Sequence, residues 1–251
     1  MTEPTAPPTL PDTAALFLDF DGTLVPIAPR PQDVHVPPWV LPVLRVWQAR
    51  LHGALAIVSG RPIAQLDAFL EPLRLCAAGA HGAEWRALPS GRIERFGVAP
   101  PPALVDAARR LAADHFGLLL ELKASGCSLH YRARPELGHA CGEALAAALA
   151  AEPGAALQWE WLHGQCVYEL KQRAFSKGTA VAALLALPAF AGRVPVFVGD
   201  DVTDEDGIVA AQAAGGWGVS VGPGLSAAHF RLADPAAVGA WLGIVAGEAL
   251  P

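Results

Sequence analysis

Four short stretches of the chain, residues 15–20, 54–58, 194–198 and 218–221, are apolar almost without interruption. Continuous apolarity over so few residues marks strands covered on both faces, as in a parallel sheet. Residues 38–51, 63–70 and 177–187 lie between them and carry apolar positions at helical spacing. Strands alternating with helices predict an α/β fold, a doubly wound and mostly parallel sheet with right-handed crossovers.

The middle of the chain has a different period. Residues 102–115 and 135–151 read as helices, and each is followed by two strands of alternating polarity. Strands at 118–123 and 127–132 flank a turn at 124–126. Strands at 157–162 and 166–171 flank a turn at 163–165. Alternation belongs to antiparallel hairpins with one face open. The repeated order of helix and hairpin predicts an α+β cap domain, residues 100–171, inserted into a core made of residues 12–99 and 172–247. The prolines of residues 1–11 predict a frayed, extended tail. Glu121-Leu122-Lys123 near the end of the first hairpin's opening strand reappears as Glu169-Leu170-Lys171 in the second. Residues two apart on a strand share a face, so each Glu and Lys point the same way. A solvated face of charge pairs accounts for either one alone, and the duplication weakens that account.

The composition narrows the function. The chain has 251 residues, and 53% are hydrophobic, though much of that is alanine and overstates core bulk. The longest apolar run, residues 179–192, is broken by Pro188, so no membrane span is expected. The N-terminus lacks the basic and apolar regions of a secretory signal. The four cysteines show no metal or disulfide spacing and predict a reducing, cytoplasmic setting. A net charge of −6 argues against nucleic acid as a partner. It leaves room for a small anionic substrate at a locally cationic or metal-loaded site. A monomer is the default expectation.

Three predicted strands end in polar clusters: Asp19-Phe20-Asp21-Gly22-Thr23, Ser59-Gly60-Arg61, and Gly199-Asp200-Asp201 followed by Thr203, Asp204, Glu205 and Asp206. Ser176-Lys177-Gly178 opens a helix. Ligands of such sheets bind beyond the carboxyl ends of the strands, where these clusters would meet. Taken singly, an Asp is a turn or cap residue, Ser59-Gly60 a turn, Lys177 a surface lysine, and the acidic run a solvated helix start. Taken together they raise a charge problem. Two like charges 4 Å apart repel by roughly 1 kcal/mol in water and roughly 4 kcal/mol at an effective dielectric of 20. Asp19, Asp21, Asp200, Asp201 and Asp204 could crowd together only with cations or protons. A hard divalent ion with oxygen ligands resolves this, and Mg²⁺ commonly joins a few carboxylates to a phosphate. Lys177 adds a fixed positive charge, and the Ser59 hydroxyl and Gly60 amide can hydrogen-bond phosphate oxygens.

In order along the chain, Asp19-Phe20-Asp21-Gly22-Thr23-Leu24, Ser59-Gly60-Arg61, Lys177-Gly178 and Gly199-Asp200-Asp201 resemble the four motifs of the haloacid dehalogenase-like (HAD) phosphatases. The finer pattern is similar to the trehalose-6-phosphate phosphatase family, on VSGR (58–61), GAHGAEWR (79–86), ELKASGCSLHYR (121–132), YELK (168–171), SKGTA (176–180) and VGDDVTDED (198–206). The likeness runs from residue 16 to about 221. Gly207-Ile208 departs from it, where a bulkier and often aromatic continuation is expected.

The resemblance implies a phosphatase that takes trehalose 6-phosphate to trehalose and phosphate, the last step of trehalose biosynthesis. Asp19 would be the nucleophile forming an aspartyl-phosphate, and Asp21 the general acid and base. Mg²⁺ would be held by Asp19, the Asp21 main-chain carbonyl and Asp200, with Asp201 and Asp204 orienting it. Ser59 and Lys177 would stabilise phosphate charge, and Gly22, Thr23 and Gly60 would line the phosphate site. Departure from strand geometry at Gly22 would leave backbone amides free to face it. Glu121, Lys123 and Glu169 would bind sugar hydroxyls on a lid, Lys171 would have a surface role, and Arg61 and His81 lie near the site by motif without an assigned part. Another cap-bearing HAD sugar phosphatase, of the sucrose-phosphate or mannosylglycerate-phosphate type, is the alternative.

Overall fold

A computed structural model describes residues 5–243. Residues 1–4 of the expected tail and 244–247 of the expected core lie outside the described residues. The chain divides into two compact units, one running up to Arg95 and resuming at Ser176, the other comprising Phe96–Phe175.

The first unit is built on an eight-stranded sheet. Its strands are β1 (Ala14–Leu18), β2 (Leu55–Val58), β3 (Cys76–Gly79), β4 (Glu84–Arg86), β5 (Glu94–Arg95), β10 (Val194–Gly199), β11 (Trp217–Val221) and β12 (Phe230–Leu232). The order is β12-β11-β10-β1-β2-β3-β4-β5. Pairing is parallel from β12 to β3, while β4 and β5 join antiparallel. Every residue of β1 and β2 is buried. Successive side chains leave opposite faces, so both faces of the sheet centre are covered. In register, Leu16 lies beside Val196 on one side and Leu55 on the other. Phe17 stacks on Phe190 with ring centroids 5.4 Å apart. Helices α1 (Val40–Arg50), α2 (Ile63–Phe69), α6 (Lys177–Leu185), α7 (Glu205–Ala213) and α8 (Pro235–Trp241) complete the unit.

The four long strands fall where the apolar runs predict them. The tail does not fray from residue 5 on. Thr5 bridges Phe230, Leu10 is buried in the core, and the Trp241 indole donates to the Pro8 carbonyl at 2.8 Å. Proline keeps this segment extended, but its apolar side chains anchor it. At Gly207, a Cβ would lie 2.4 Å from the Phe197 ring, so the bulk missing at that position is supplied from β10.

The second unit holds α3 (Pro102–Asp114), α4 (Gly138–Ala151), the short α5 (Ala155–Gln158) and strands β6 (Leu119–Lys123), β7 (Gly126–His130), β8 (Trp159–Gly164) and β9 (Val167–Gln172). The strands form an antiparallel sheet in the order β6-β7-β9-β8. The second hairpin turns two residues later than predicted, at Gln165 and Cys166, with Cys166 at φ 59°. Residues 157 and 158, predicted as strand, close the α5 turn instead. One sheet face carries Leu129, Leu170 and Trp159 against Leu104, Ala108, Cys141 and Leu145 of the helices. The register puts Ser128 opposite both Glu121 and Glu169, so the other face is polar.

Strands β3 to β5 were not predicted, and β4 shows why. Its sequence, Glu84-Trp85-Arg86, reads as surface, yet Glu84 and Arg86 are buried. Arg86 forks onto Asp67 at 2.6 and 2.7 Å and donates from Nε to the Leu75 carbonyl at 2.9 Å. Glu84 accepts from the Ile63 amide at 2.8 Å and from Arg95 at 3.0 Å. Removing one partner of a buried pair strands the other and costs about 3–5 kcal/mol. Arg86→Met should lower unfolding free energy in denaturant melts by about that much. Adding Asp67→Leu should cost little more, and fully additive losses would show that the pair is not coupled.

Candidate active site

The neighbouring strands β10, β1 and β2 deliver Asp200, Asp19 and Ser59 to one edge of the sheet, at its carboxyl ends. Lys177 reaches the same place because α6 begins there. Ser176 caps that helix in a reciprocal pair with Thr179, which makes Lys177 its first residue. Lys177 is 3% exposed. Its Nζ donates to Asp19 Oδ1 at 2.7 Å and to Asp204 Oδ1 at 2.6 Å. Asp204 Oδ2 in turn accepts from the amides of Asp200 and Asp201, at 3.1 and 3.0 Å. Asp201 spends its own carboxylate on the Val202 amide, capping the turn Val202–Asp204.

Among the described residues, carboxylate oxygens of Asp19, Asp200 and Asp204 come within 4.8 Å of one another. Three carboxylates face one ammonium. Burial, and then the Asp204 charge, push the Asp19 carboxyl well above its usual range despite the pull of Lys177. Burial and Asp204 lift Asp200 to about 7. Burial also raises Asp204, against Lys177. Burial works against the Lys177 charge, but Asp19 and Asp204 outweigh it and hold the ammonium protonated. The cluster is short of positive charge, and its donors are all hard oxygens, so it fits a small divalent cation. Asp204 is the least suited to bind one directly, since both its oxygens already accept hydrogen bonds.

Glycine is required twice at this edge. A Cβ on Gly22, at φ +80°, would sit 2.0 Å from Asp200 Oδ2, and one on Gly199 would sit 2.2 Å from Asp204 Cγ. Of the backbone amides expected to face a phosphate at this turn, that of Gly22 is engaged. It donates to the Val25 carbonyl at 2.7 Å and closes the turn. Gly22 therefore serves the site by leaving space. The Thr23 hydroxyl is buried beside it with no hydrogen-bond partner among the described residues. The Ser59 hydroxyl is buried and accepts from the Arg61 amide at 3.2 Å, leaving its own proton to donate. A Cβ on Gly60 would meet the His81 ring at 2.6 Å, so that buried imidazole packs on the Gly60 backbone.

Asp21 departs from the cluster. Its carboxylate lies in the fork of Arg61, which donates from Nε to Oδ2 at 2.6 Å and from Nη2 to Oδ1 at 2.7 Å. Sequence reasoning placed Arg61 near the site and gave it no part. The SGR motif was the available signal, but a pairing across 40 residues is not written in it.

In the second unit, Glu121, Lys123 and Glu169 occupy the polar sheet face. Lys123 pairs with Glu169, Ser128 donates to Glu169 at 3.3 Å, and His130 Nε2 lies 3.2 Å from Glu121. Lys171 is not a surface residue as expected. Its side chain is 11% exposed, pairs with Glu160 at 2.6 Å and donates to the Phe175 carbonyl at 2.9 Å.

The trehalose-phosphatase family model matches residues 17–231. A trehalose-6-phosphate phosphatase of Escherichia coli (strain K12) is 40% identical over 249 residues, covering 98% of this chain and 91% of its own. The C-terminal domain of a C. albicans trehalose-6-phosphate phosphatase superposes with a TM-score of 0.83 at 22% identity, over 96% of this chain and 98% of that one. A haloacid dehalogenase-like hydrolase from Bacteroides thetaiotaomicron gives 0.63 at 17% identity, over 90% and 96%, so the fold is the HAD-like one. With Asp19, Ser59, Lys177 and Asp200 gathered at one sheet edge and the match running through all four, the chain belongs to the trehalose-phosphatase family.

Proposed function

We propose that the protein hydrolyses trehalose 6-phosphate to trehalose and inorganic phosphate, with Asp19 as nucleophile. The observation that carries this reading is the Lys177 bridge from Asp19 to Asp204, set between the carboxylates that could hold a cation. Asp19 attacks phosphorus while Asp21 protonates the departing sugar oxygen. Asp21 then takes a proton from the water that displaces Asp19. Lys177 and the Ser59 hydroxyl stabilise charge on the phosphoryl oxygens. Gly60 and Thr23 shape the phosphate pocket with Gly22. Asp19, Asp200 and the Asp21 main-chain carbonyl would hold Mg²⁺, with Asp201 and Asp204 orienting them. When bound, the ion supplies positive charge that offsets repulsion between the Asp19 carboxylate and the phosphate dianion. Asp204 fixes Lys177 and the Asp200 amide, so two groups of the site depend on it.

Glu121, Lys123 and Glu169 are the proposed sugar ligands. Carboxylates accept from hydroxyls and an ammonium donates to them, which suits a polyol. No helix among the described residues is long and apolar enough to cross a membrane. The cysteines are all free thiols, which suits a reducing cytoplasm.

Asp19→Asn keeps shape and removes the nucleophile. Phosphate release should fall far beyond tenfold, which is about 1.4 kcal/mol of barrier. Melting of the metal-free variant should occur at or above the wild-type temperature, because a crowded charge is gone. A variant active within tenfold would refute the assignment.

Asp200, lifted to about 7 from an ordinary 3.8, links stability to pH. A raised carboxyl favours the folded state below its unfolded value, and that contribution is lost as pH rises through the folded value. The metal-free melting temperature should therefore fall as pH rises from about 4 to about 7, and Asp200→Asn should flatten that slope. Mg²⁺ should raise melting more at pH 8 than at pH 6. An increment independent of pH would count against a carboxylate site, and full activity after exhaustive chelation against the cation itself.

Glu121→Ala, Lys123→Ala and Glu169→Ala should each cut hydrolysis of trehalose 6-phosphate about tenfold or more, since a lost polar partner costs on the order of 1–3 kcal/mol. A small aryl phosphate should be hydrolysed nearly as before. Equal losses on both substrates would mean that these residues support folding, and preference for another sugar phosphate would favour the alternative within the superfamily.

A further inference from the structure

The Arg61 side chain is engaged well beyond its ion pair. Besides its two bonds to Asp21, its Nη1 donates to the Pro31 carbonyl at 3.1 Å and to Gln65 Oε1 at 3.3 Å. The guanidinium carbon lies 5.0 Å from the Phe69 ring centroid and 5.9 Å from that of Phe20, and those two rings stack on each other. The Arg61 amide is bound to Ser59 Oγ, and its carbonyl accepts from the Ala80 amide at 2.9 Å. The side chain of Arg61 is 11% exposed, and that of Asp21 is 34% exposed. A fixed fork thus grips a carboxylate that water would otherwise leave free to turn. Arginine suits this task because its donors are coplanar and pre-set, whereas a lysine offers a single point charge.

From this geometry we infer that Arg61 is the positioning residue for Asp21, the group that carries protons in both halves of the reaction. The inference rests on the nucleophilic reading above. In the first half, the Asp19–phosphorus bond forms, the phosphorus–sugar oxygen bond breaks, and Asp21 gives its proton to that oxygen. In the second half, water oxygen bonds to phosphorus, the Asp19–phosphorus bond breaks, and Asp21 recovers a proton from the water. A side chain that samples several rotamers serves neither transfer well. Loss of the fork therefore slows turnover through Asp21 while leaving Asp19 able to attack.

The leaving group separates these effects. Nitrophenolate needs no proton to depart, so nitrophenyl phosphate bypasses the first transfer and still requires the second. With Arg61→Met and this substrate, stopped flow should show a stoichiometric burst of nitrophenolate. Steady turnover should then be slower than wild type by on the order of a hundredfold, the range of a general acid-base contribution. On trehalose 6-phosphate, kcat should fall with KM nearly unchanged. Arg61→Lys should recover part of the loss, and free guanidinium ion should recover part of it in Arg61→Met. Turnover within twofold of wild type would overturn the role. Loss of the burst together with turnover would also overturn it, since Arg61 would then be holding the fold of the site. The same mixing experiment on Asp19→Asn should give no burst. A burst there would refute the nucleophile, and with it the positioning of Asp21 as described.

Discussion

One buried ammonium organises the catalytic unit. Lys177 joins Asp19 to Asp204, and the first of these contacts spans 158 residues, so the site exists only when the whole α/β unit has folded. The local structure is arranged to allow it. Ser176 caps α6 so that the helix opens on Lys177, and Asp204 is fixed by amides from the loop that follows β10. Gly22 and Gly199 carry no side chain because the carboxylates of Asp200 and Asp204 already fill that space. The same crowding leaves more negative charge than one lysine can balance, visible in the raised Asp19 and Asp200 carboxyls. A divalent cation held by these carboxylates would supply the missing positive charge and lessen their repulsion of a phosphate.

The parts of this arrangement legible in the sequence share a cause. Strands β1, β2, β10 and β11 are buried on both faces, so their apolar residues run together and betray them. Asp19, Ser59 and Asp200 follow such runs directly, and the apolar pattern alone is enough to put them at strand ends. Strands β3 and β4 were invisible for opposite reasons. Cys76-Ala77-Ala78-Gly79 has little bulk to mark it. Glu84 and Arg86 are charged residues hidden by partners 11 and 19 positions away. Pairings of that kind are set by the fold, and the grip of Arg61 on Asp21 escaped the sequence in the same way. In the tail, prolines signal an extended chain, while the anchoring of Leu10 in the core is set by the fold and leaves no local pattern.

The second unit solves a different problem. Its sheet has one face packed by α3 and α4 and one polar face, and the alternating pattern foretold that division. Within the polar face, the charged groups are matched to one another rather than left to water. Lys123 holds Glu169, Ser128 adds a donor to the same carboxylate, and Lys171 is drawn inward by Glu160. Such mutual satisfaction gives a surface of fixed donors and acceptors, which is what recognition of hydroxyls requires. The partner that draws Lys171 inward, Glu160, lies on a neighbouring strand and not in its own motif, so the sequence does not show it.

The covalent role proposed for Asp19 is open to direct chemical capture. Acid-quenching the enzyme during turnover of trehalose 6-phosphate with Mg²⁺, followed by borohydride reduction, converts an aspartyl-phosphate to homoserine. Peptide mass spectrometry should find that conversion at Asp19 and at no other acidic residue. Homoserine at a different aspartate, or none at all during active turnover, would contradict the nucleophile assignment.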